Sequence, residues 1–141
     1  MNSQIDIDFL MLFNDVQTVS TEAAFEVLAR HLKALNSNDE DELAKTLHFP
    51  HYRLVGSKLD SWQSPENYFN DFKERAGKHW ERTEWGSIEV MRASCNKVHL
   101  KVQVNRFDSD FVLLADFDSL WIVTKKDDRW AVQFRSSFAL A

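Results

Sequence analysis

The chain has 141 residues, of which 44% are hydrophobic and 13% aromatic. This length and composition suit one domain with its own core and exclude a disordered tail. The net charge is −5 and no run of Lys or Arg occurs, which disfavours nucleic-acid binding. The apolar run 9–13 is too short to span a bilayer, and a lone Cys95 permits no internal disulfide. We therefore expect a cytoplasmic domain without nucleic-acid or membrane partners.

Helical signals begin near the N-terminus. Residues 5–16 are apolar without clear periodicity, so we interpret residues 1–19 as an arm or short helix and 20–141 as a single domain. Ser20 or Thr21 can cap a helix over 22–36, in which apolar residues recur every three or four positions. We expect this helix to bury one apolar stripe.

Two further helices are predicted before the sequence changes its period. Asn38 can cap a helix whose first turn is acidic, and Pro50 can end it. Ser64-Pro65-Glu66 is a cap followed by proline at the first helical position, and Gly77 can close the helix that follows. These signals predict three helices in the first half of the chain.

Alternating polar and apolar residues predict the strands. A short hairpin is predicted over 51–55 and 58–62, with a turn at Gly56-Ser57. After Gly77 the alternation predicts strands near 85–93, 98–107, 111–124 and 130–138, separated by breaks short enough for hairpins. Helices that precede a four-stranded meander should pack on one of its faces, which gives an α+β domain.

This order resembles the NTF2-like superfamily and its SnoaL-like branch over roughly residues 20–139. The matching segments are 47–51 (LHFPH), 64–66 (SPE), 119–124 (SLWIVT) and 130–138 (WAVQFRSSF). The resemblance implies a bent antiparallel sheet wrapped as a cone around the helices, with a pocket at its open end. It also implies a homodimer joined through the outer sheet face. The superfamily includes isomerases, dehydratases and polyketide cyclases as well as association domains without catalysis.

The third long strand is apolar on both faces, which indicates that both are covered. The helices would cover one face and a second copy of the chain the other. Alternation in the last strand places Gln133 and Arg135 on the outer side, away from Phe134. Together with Trp121 they form our predicted dimer face.

Asp118 and His51 are the candidate catalytic residues. The resemblance places Asp118 on the inner face, whereas hydrophobicity alone favours the opposite orientation. Inside an apolar cavity the pKa of such a carboxyl would rise, which suits general acid/base work. Arg106 could meet Asp118 across the ladder, either as an oxyanion donor or in a structural ion pair. His51, near the cone mouth, could move a proton.

The predicted pocket is rich in aromatic residues and would favour a flat, hydrophobic small molecule. Its candidate residues are Tyr52, Trp62, Tyr68, Phe72, Trp80, Arg106 and Phe134. No metal or other cofactor is expected, because His48 and His51 lack a third ligand at a recognisable spacing.

Three functions stay open at this point. The first is binding of an apolar or aromatic metabolite, and the second is a cofactor-independent lyase or isomerase. The third is a non-catalytic association domain. Ketosteroid-isomerase-like members carry a basic carboxylate on the first strand, and here residues 51–56 contain no Asp or Glu. That departure weakens the isomerase interpretation.

Overall fold

The computed structural model describes residues 7–140, with side chains described from Val16 onward. The elements follow in the order α1 (Ile7–Asn36), α2 (Glu40–Lys45), β1 (Leu47–Val55), β2 (Lys58–Trp62), α3 (Tyr68–Ala76), β3 (Arg82–Ala93), β4 (Lys97–Phe107), β5 (Leu113–Lys126) and β6 (Arg129–Ser137). Three helices therefore pack on one curled sheet, which confirms the predicted α+β class.

All six strands belong to one sheet in the order β2-β1-β6-β5-β4-β3. Every neighbouring pair is antiparallel except β1 and β6, which run parallel with Arg53 opposite Arg135. This parallel pair joins the early hairpin to the end of the meander. It places two strands that are about 80 residues apart in the chain side by side in the sheet.

Helix α1 is longer than predicted, and its predicted start at Ser20 or Thr21 is wrong. The small Ser20 side chain is buried within the helix, and no Gly or Pro interrupts residues 7–36. The boundary predicted between residues 19 and 20 therefore falls inside α1. Residues 1–6 of the predicted arm lie outside the described residues.

The other helix starts also differ from the predictions. Asp39, not Asn38, caps α2, and its Oδ1 accepts the backbone N–H of Glu42 at 3.1 Å. Helix α3 begins at Tyr68 because Pro65 lies in a preceding turn, closed by the Tyr68 N–H on the Pro65 carbonyl at 3.1 Å. Pro50 lies within β1 and ends no helix. Gly77 does end α3, at a φ of +91°.

The core lies between the helices and the inner sheet face. We call the end of this face that carries Val98 and Val123 the closed end, and the end that carries Arg106 the open end. The fully buried side chains of the core are Leu28, Leu43, Leu47, Val98, Leu100, Val102, Val123 and Val132. Asn36 fixes the end of α1 over β3, because its amide both donates to the Thr83 carbonyl (2.8 Å) and accepts the Thr83 N–H (2.9 Å). The end of α1 therefore lies over the end of β3 at which Thr83 pairs with Arg106.

Candidate functional site

The inner face of β5 carries the apolar row, and its aspartates point outward. Ser119 lies opposite Val102 and Trp121 opposite Leu100, whose side chains are all buried. Asp118 is on the other face and exposed. The predicted inner placement of Asp118 is wrong, because burying the large apolar row outweighs burying a carboxylate. Arg106 is paired with Ala115 and does not meet Asp118.

A β-bulge in β6 reverses the predicted faces of the last strand. Ile122 pairs with Phe134 but the next residue, Val123, pairs with Val132, so Gln133 is the extra residue. Beyond the bulge Arg135 lies on the inner face and Phe134 on the outer face. The predicted dimer face is therefore wrong for Trp121 and Arg135, which are only 2% and 8% exposed inside the cone.

A cavity lies at the open end of the cone, lined mainly by aromatic and cationic side chains. Its free volume is about 20 Å³, enough for a water-sized group. The lining residues are His31, Leu35, Arg53, Phe72, Thr83, Trp85, Val104, Arg106, Phe117, Ser119, Trp121, Arg135 and Ser137. We call this the inner cavity.

A wider cavity of about 210 Å³ lies next to it and is here called the mouth. Arg53 and Arg106 line both cavities, so their guanidinium groups lie at the junction. The remaining lining of the mouth is Val55, Lys58, Asp60, Arg75, Ala139 and Leu140. A molecule that entered through the mouth would therefore meet these two arginines before reaching the inner cavity.

Four arginines cluster around these cavities: Arg53, Arg75, Arg106 and Arg135. Within residues 16–140, no carboxylate oxygen lies within 4.0 Å of any of their nitrogens. The buried Nε atoms of Arg75, Arg106 and Arg135 have no hydrogen-bond partner among the described residues, nor does one terminal nitrogen of Arg75. This group, here called the arginine cluster, is rich in unused donors.

Aromatic rings hold the guanidinium groups in place. The central carbon of Arg106 lies 4.9 Å from the Phe117 ring centroid, and that of Arg135 lies 5.0 Å from Trp121. Arg135 also donates to the Tyr68 hydroxyl at 2.6 Å. Cation–π contacts supply part of the stabilisation that missing carboxylates would otherwise give.

Burial lowers the pKa of two arginines at the junction. The loss of hydration is the main cause, followed by repulsion from Arg75, and the pKa falls to about 9 for Arg53 and about 10 for Arg106. Both remain protonated at neutral pH, so the junction is strongly positive. An electropositive cavity of this kind favours an anion.

Two of the buried histidines, His31 and His51, are neutral. Burial, reinforced by Arg135, lowers the pKa of His31 to about 3 and holds that of His51 well below its usual value. His51 Nδ1 donates to the Val132 carbonyl at 3.1 Å, and its buried Nε2 has no partner among the described residues. His51 packs edge-on against Tyr68 but does not line the inner cavity.

Solved structures of similar shape were found for this chain. A Nostoc punctiforme protein of unknown function with a cystatin-like fold matches with a TM-score of 0.70 and 10% identity, covering 86% of this chain and 92% of its own. An NTF2-like protein of unknown function from Shewanella oneidensis matches with a TM-score of 0.68 and 15% identity, covering 84% and 98%. The fold is NTF2-like. No family model and no curated protein matches the sequence.

Within this NTF2-like cone, the predicted pocket residues have three different positions. Phe72 and Arg106 line the inner cavity, and Arg106 lines the mouth as well. Trp62, Tyr68 and Trp80 pack behind the cavity: Trp62 donates to Asp71 at 2.8 Å, and Trp80 contacts Phe72 edge-on. Tyr52 and Phe134 lie opposite each other on the outer face, so their assignment to the pocket is wrong.

Several residues that line the cavities are not among the pocket residues predicted from the sequence. Arg53 shares its strand face with His51, so the same alternation that placed His51 at the mouth could have found it. His31 faces the cavity from α1, but a single histidine on a helix carries no signal of its own. Arg135 was placed outside because no sequence rule reveals the bulge at Gln133.

The described residues offer neither a group of metal ligands nor a membrane-spanning helix. No three His, Cys, Asp or Glu side chains with described positions are grouped so that they could hold a metal ion. None of the helices, as far as the structure describes them, is long and apolar enough to cross a membrane.

Proposed function

We propose that the cone binds a small organic anion, with the anionic group between Arg53 and Arg106. The observation that carries this proposal is the arginine cluster, in which Arg53, Arg106 and Arg135 are buried with no carboxylate oxygen within 4.0 Å among the described side chains. Leaving a buried charge unpaired costs several kcal/mol, so such groups are normally paired or bound to a ligand. An anion would supply the missing charge.

The donors suit a planar anion such as a carboxylate. A guanidinium group presents two parallel N–H donors to the two oxygens of a carboxylate, and this geometry strengthens binding beyond simple charge attraction. Arg53 is 5% exposed and makes no hydrogen bond with the side chains and backbone that are described. Its donors are therefore free for a ligand.

The body of the ligand would lie in the mouth. The volume there, about 210 Å³, accommodates a small ring, whereas the inner cavity admits only a group of about the size of water. Val55 and Leu140 provide apolar contacts, in keeping with the aromatic or apolar ligand that the sequence suggests. A small arylcarboxylate therefore fits both the charge and the size.

We favour binding over a reaction catalysed by Asp118, because the Asp118 carboxylate lies on the sheet face opposite to the cavity. A catalytic role for His51 stays a prediction. Membership of the SnoaL-like branch is likewise proposed, on the segments 47–51, 64–66, 119–124 and 130–138.

Phenylacetate and its neutral analogue phenylacetamide provide a direct test. Isothermal titration calorimetry should detect phenylacetate binding at millimolar or lower Kd, and at least tenfold weaker binding of the amide. Arg106→Met should abolish the preference for the anion, whereas Arg92→Met, at an exposed position of β3, should retain it.

Three results would overturn the proposal. One is equal affinity for acid and amide in the unmodified protein, and another is an unchanged preference in Arg106→Met. Failure of both phenylacetate and formate to bind at about 10 mM would also reject it, since formate needs almost no space.

We further propose that a second copy of the chain covers the outer sheet face. Tyr52, Phe134 and Ile122 form one row across β1, β6 and β5, and Leu54 and Leu120 flank Ser136 in the next. All five are half-buried apolar side chains on the face away from the cavity. A self-complementary apolar patch suits a two-fold dimer.

The oligomeric state tests this second proposal. Light scattering after size-exclusion chromatography should give about 33 kDa, twice the chain mass of 16.5 kDa. Phe134→Glu should convert the protein to monomers, while Met91→Glu, at an exposed position of the edge strand β3, should not. A monomer in the unmodified protein would exclude the dimer.

A further inference from the structure

We infer that the ligand carries a neutral hydroxyl group beside its carboxylate, and that His31 accepts a hydrogen bond from it. This inference rests on the proposed binding of an anion at Arg53 and Arg106 and specifies the class of that ligand. The ligand would be a small hydroxy acid, with the hydroxyl entering the inner cavity.

The first step of the argument is the tautomer of His31. Thr46 donates its single hydroxyl proton to the Leu43 carbonyl at 2.7 Å. The same oxygen lies 2.8 Å from His31 Nδ1, so it accepts there and Nδ1 carries the ring proton. His31 Nε2 is consequently a lone-pair acceptor.

The second step is the position of that acceptor. His31 lines the inner cavity, and its Nδ1 is the only ring nitrogen with a hydrogen-bond partner among the residues described. Trp121 packs edge-on at 5.1 Å and Trp85 stacks at 6.4 Å, so the imidazole is held in one orientation. The fixed ring leaves Nε2 as the acceptor available to a ligand.

The third step is the kind of donor that this place admits. Arg135 lies over the same Trp121 ring that His31 contacts, and its positive charge adds to the effect of burial in lowering the pKa of His31. The arginine cluster would repel an ammonium group for the same reason. A neutral donor of about the size of water fits the free volume of about 20 Å³, and a hydroxyl meets both conditions.

The two ends of the site then recognise different groups. Arg53 and Arg106, at the junction, would hold the carboxylate, and His31, deeper in the cone, would hold the hydroxyl. A carboxylate with a hydroxyl on the adjacent carbon places the two groups close enough to engage both ends. The ring or chain that carries them would remain in the mouth.

Mandelate and phenylacetate form a matched pair for the test, because they differ only by the hydroxyl. The tighter enantiomer of mandelate should bind about fivefold or more tightly than phenylacetate in calorimetry, as expected for one added hydrogen bond. In His31→Leu this ratio should fall to about one while phenylacetate still binds. His79→Leu, at an exposed histidine, should leave the ratio unchanged.

A second measurement keeps the inference testable if His31→Leu does not fold. In the unmodified protein, the ¹⁵N resonance of His31 Nε2 should shift on adding mandelate and stay nearly unchanged with phenylacetate. Thr46→Val, which removes the group that fixes the tautomer, should lower the mandelate preference while retaining His31.

The possible failures are distinguishable. If phenylacetate binds but mandelate binds no more tightly, or if the mandelate preference survives in His31→Leu, the role of His31 is rejected and anion binding stands. If phenylacetate, mandelate and formate all fail to bind, the anion site itself is rejected.

Discussion

The side chains at the two ends of the inner sheet face differ in whether they have interaction partners within the protein. At the closed end, Val98, Leu100 and Val123 pack against the helices and need no partner beyond apolar contact. At the open end, Arg53, Arg106 and Arg135 lie on β1, β4 and β6, and the Nε atoms of Arg106 and Arg135 have no hydrogen-bond partner among the described residues. The same alternation of side chains builds both ends, so the difference comes from residue type. Stability should therefore reside in the first end and binding in the second.

The largest expected effect is at the closed end. Leu100→Ala should lower the free energy of unfolding by about 2–5 kcal/mol, because it leaves a cavity among fully buried side chains. Urea denaturation measures this loss. Leu59→Ala is the matched control, since Leu59 is 58% exposed and its truncation should cost less than about 0.5 kcal/mol. Equal losses in both variants would contradict the division between the two ends.

The next effect is a pH dependence that originates beside the cavity. The pKa of His31 is about 3 in the folded state and about 6.5 when unfolded, so acid protonates the unfolded state first. The stabilising contribution of neutral His31 is complete above about pH 6.5 and is lost progressively as the pH falls to about 3. Between pH 6.5 and 5 this loss should be about 2 kcal/mol.

Unfolding at a series of pH values in the unmodified protein and in His31→Gln would isolate that contribution. The variant should show a shallower fall in unfolding free energy over this interval. The unfolding free energy of the variant should still fall somewhat with pH, because burial also lowers the pKa of His51. Identical slopes would show that His31 does not contribute.

A smaller effect of opposite sign is expected at the open end. Without ligand, Arg106→Met should raise the free energy of unfolding by about 1 kcal/mol, because it removes a buried charge that repels its neighbours. The apolar stem of methionine can keep the contacts with Phe72 and Phe117. Chemical denaturation of the ligand-free protein measures the change, with exposed Arg92→Met as control. A clear loss of stability would mean that the cluster is already compensated.

An effect of similar size is expected outside both ends. Asp39→Ala should cost about 1 kcal/mol, since it removes the side-chain cap of α2. Asp39→Asn is the matched control, because asparagine can accept the same hydrogen bond from the Glu42 N–H. Thermal unfolding of the two variants should therefore separate them. No difference would show that the cap contributes nothing to folding.

Much of the fold could be predicted from local patterns. The strands fall within three residues of their predicted limits from Lys58 onward, because alternation and short turns are encoded locally. Helix starts were less predictable. Ser20 and Ser64 have side chains that can cap a helix, yet Ser20 lies inside α1 and α3 begins only at Tyr68, four residues after Ser64. Intrinsic capping preference is weaker than packing over the whole helix.

The site was only partly predictable, for reasons visible in three residues. Arg106 was found because it continues a clean apolar alternation in β4. Arg135 was assigned to the wrong face because one extra residue at Gln133 shifts every side chain beyond it. For Asp118 the resemblance predicts the wrong face, whereas the hydrophobic row of its own strand predicts the observed one.

By itself, the sequence determined the element order, the α+β class and the apolar rows, since these depend on periodicity and on turns within a few residues. Only the tertiary structure decided the parallel pairing of β1 with β6, the bulge and the meeting of Arg53, Arg106, Arg135 and His31. These features join segments up to about 100 residues apart. Their geometry depends on how the whole sheet curls, and no local pattern in the chain records that curvature.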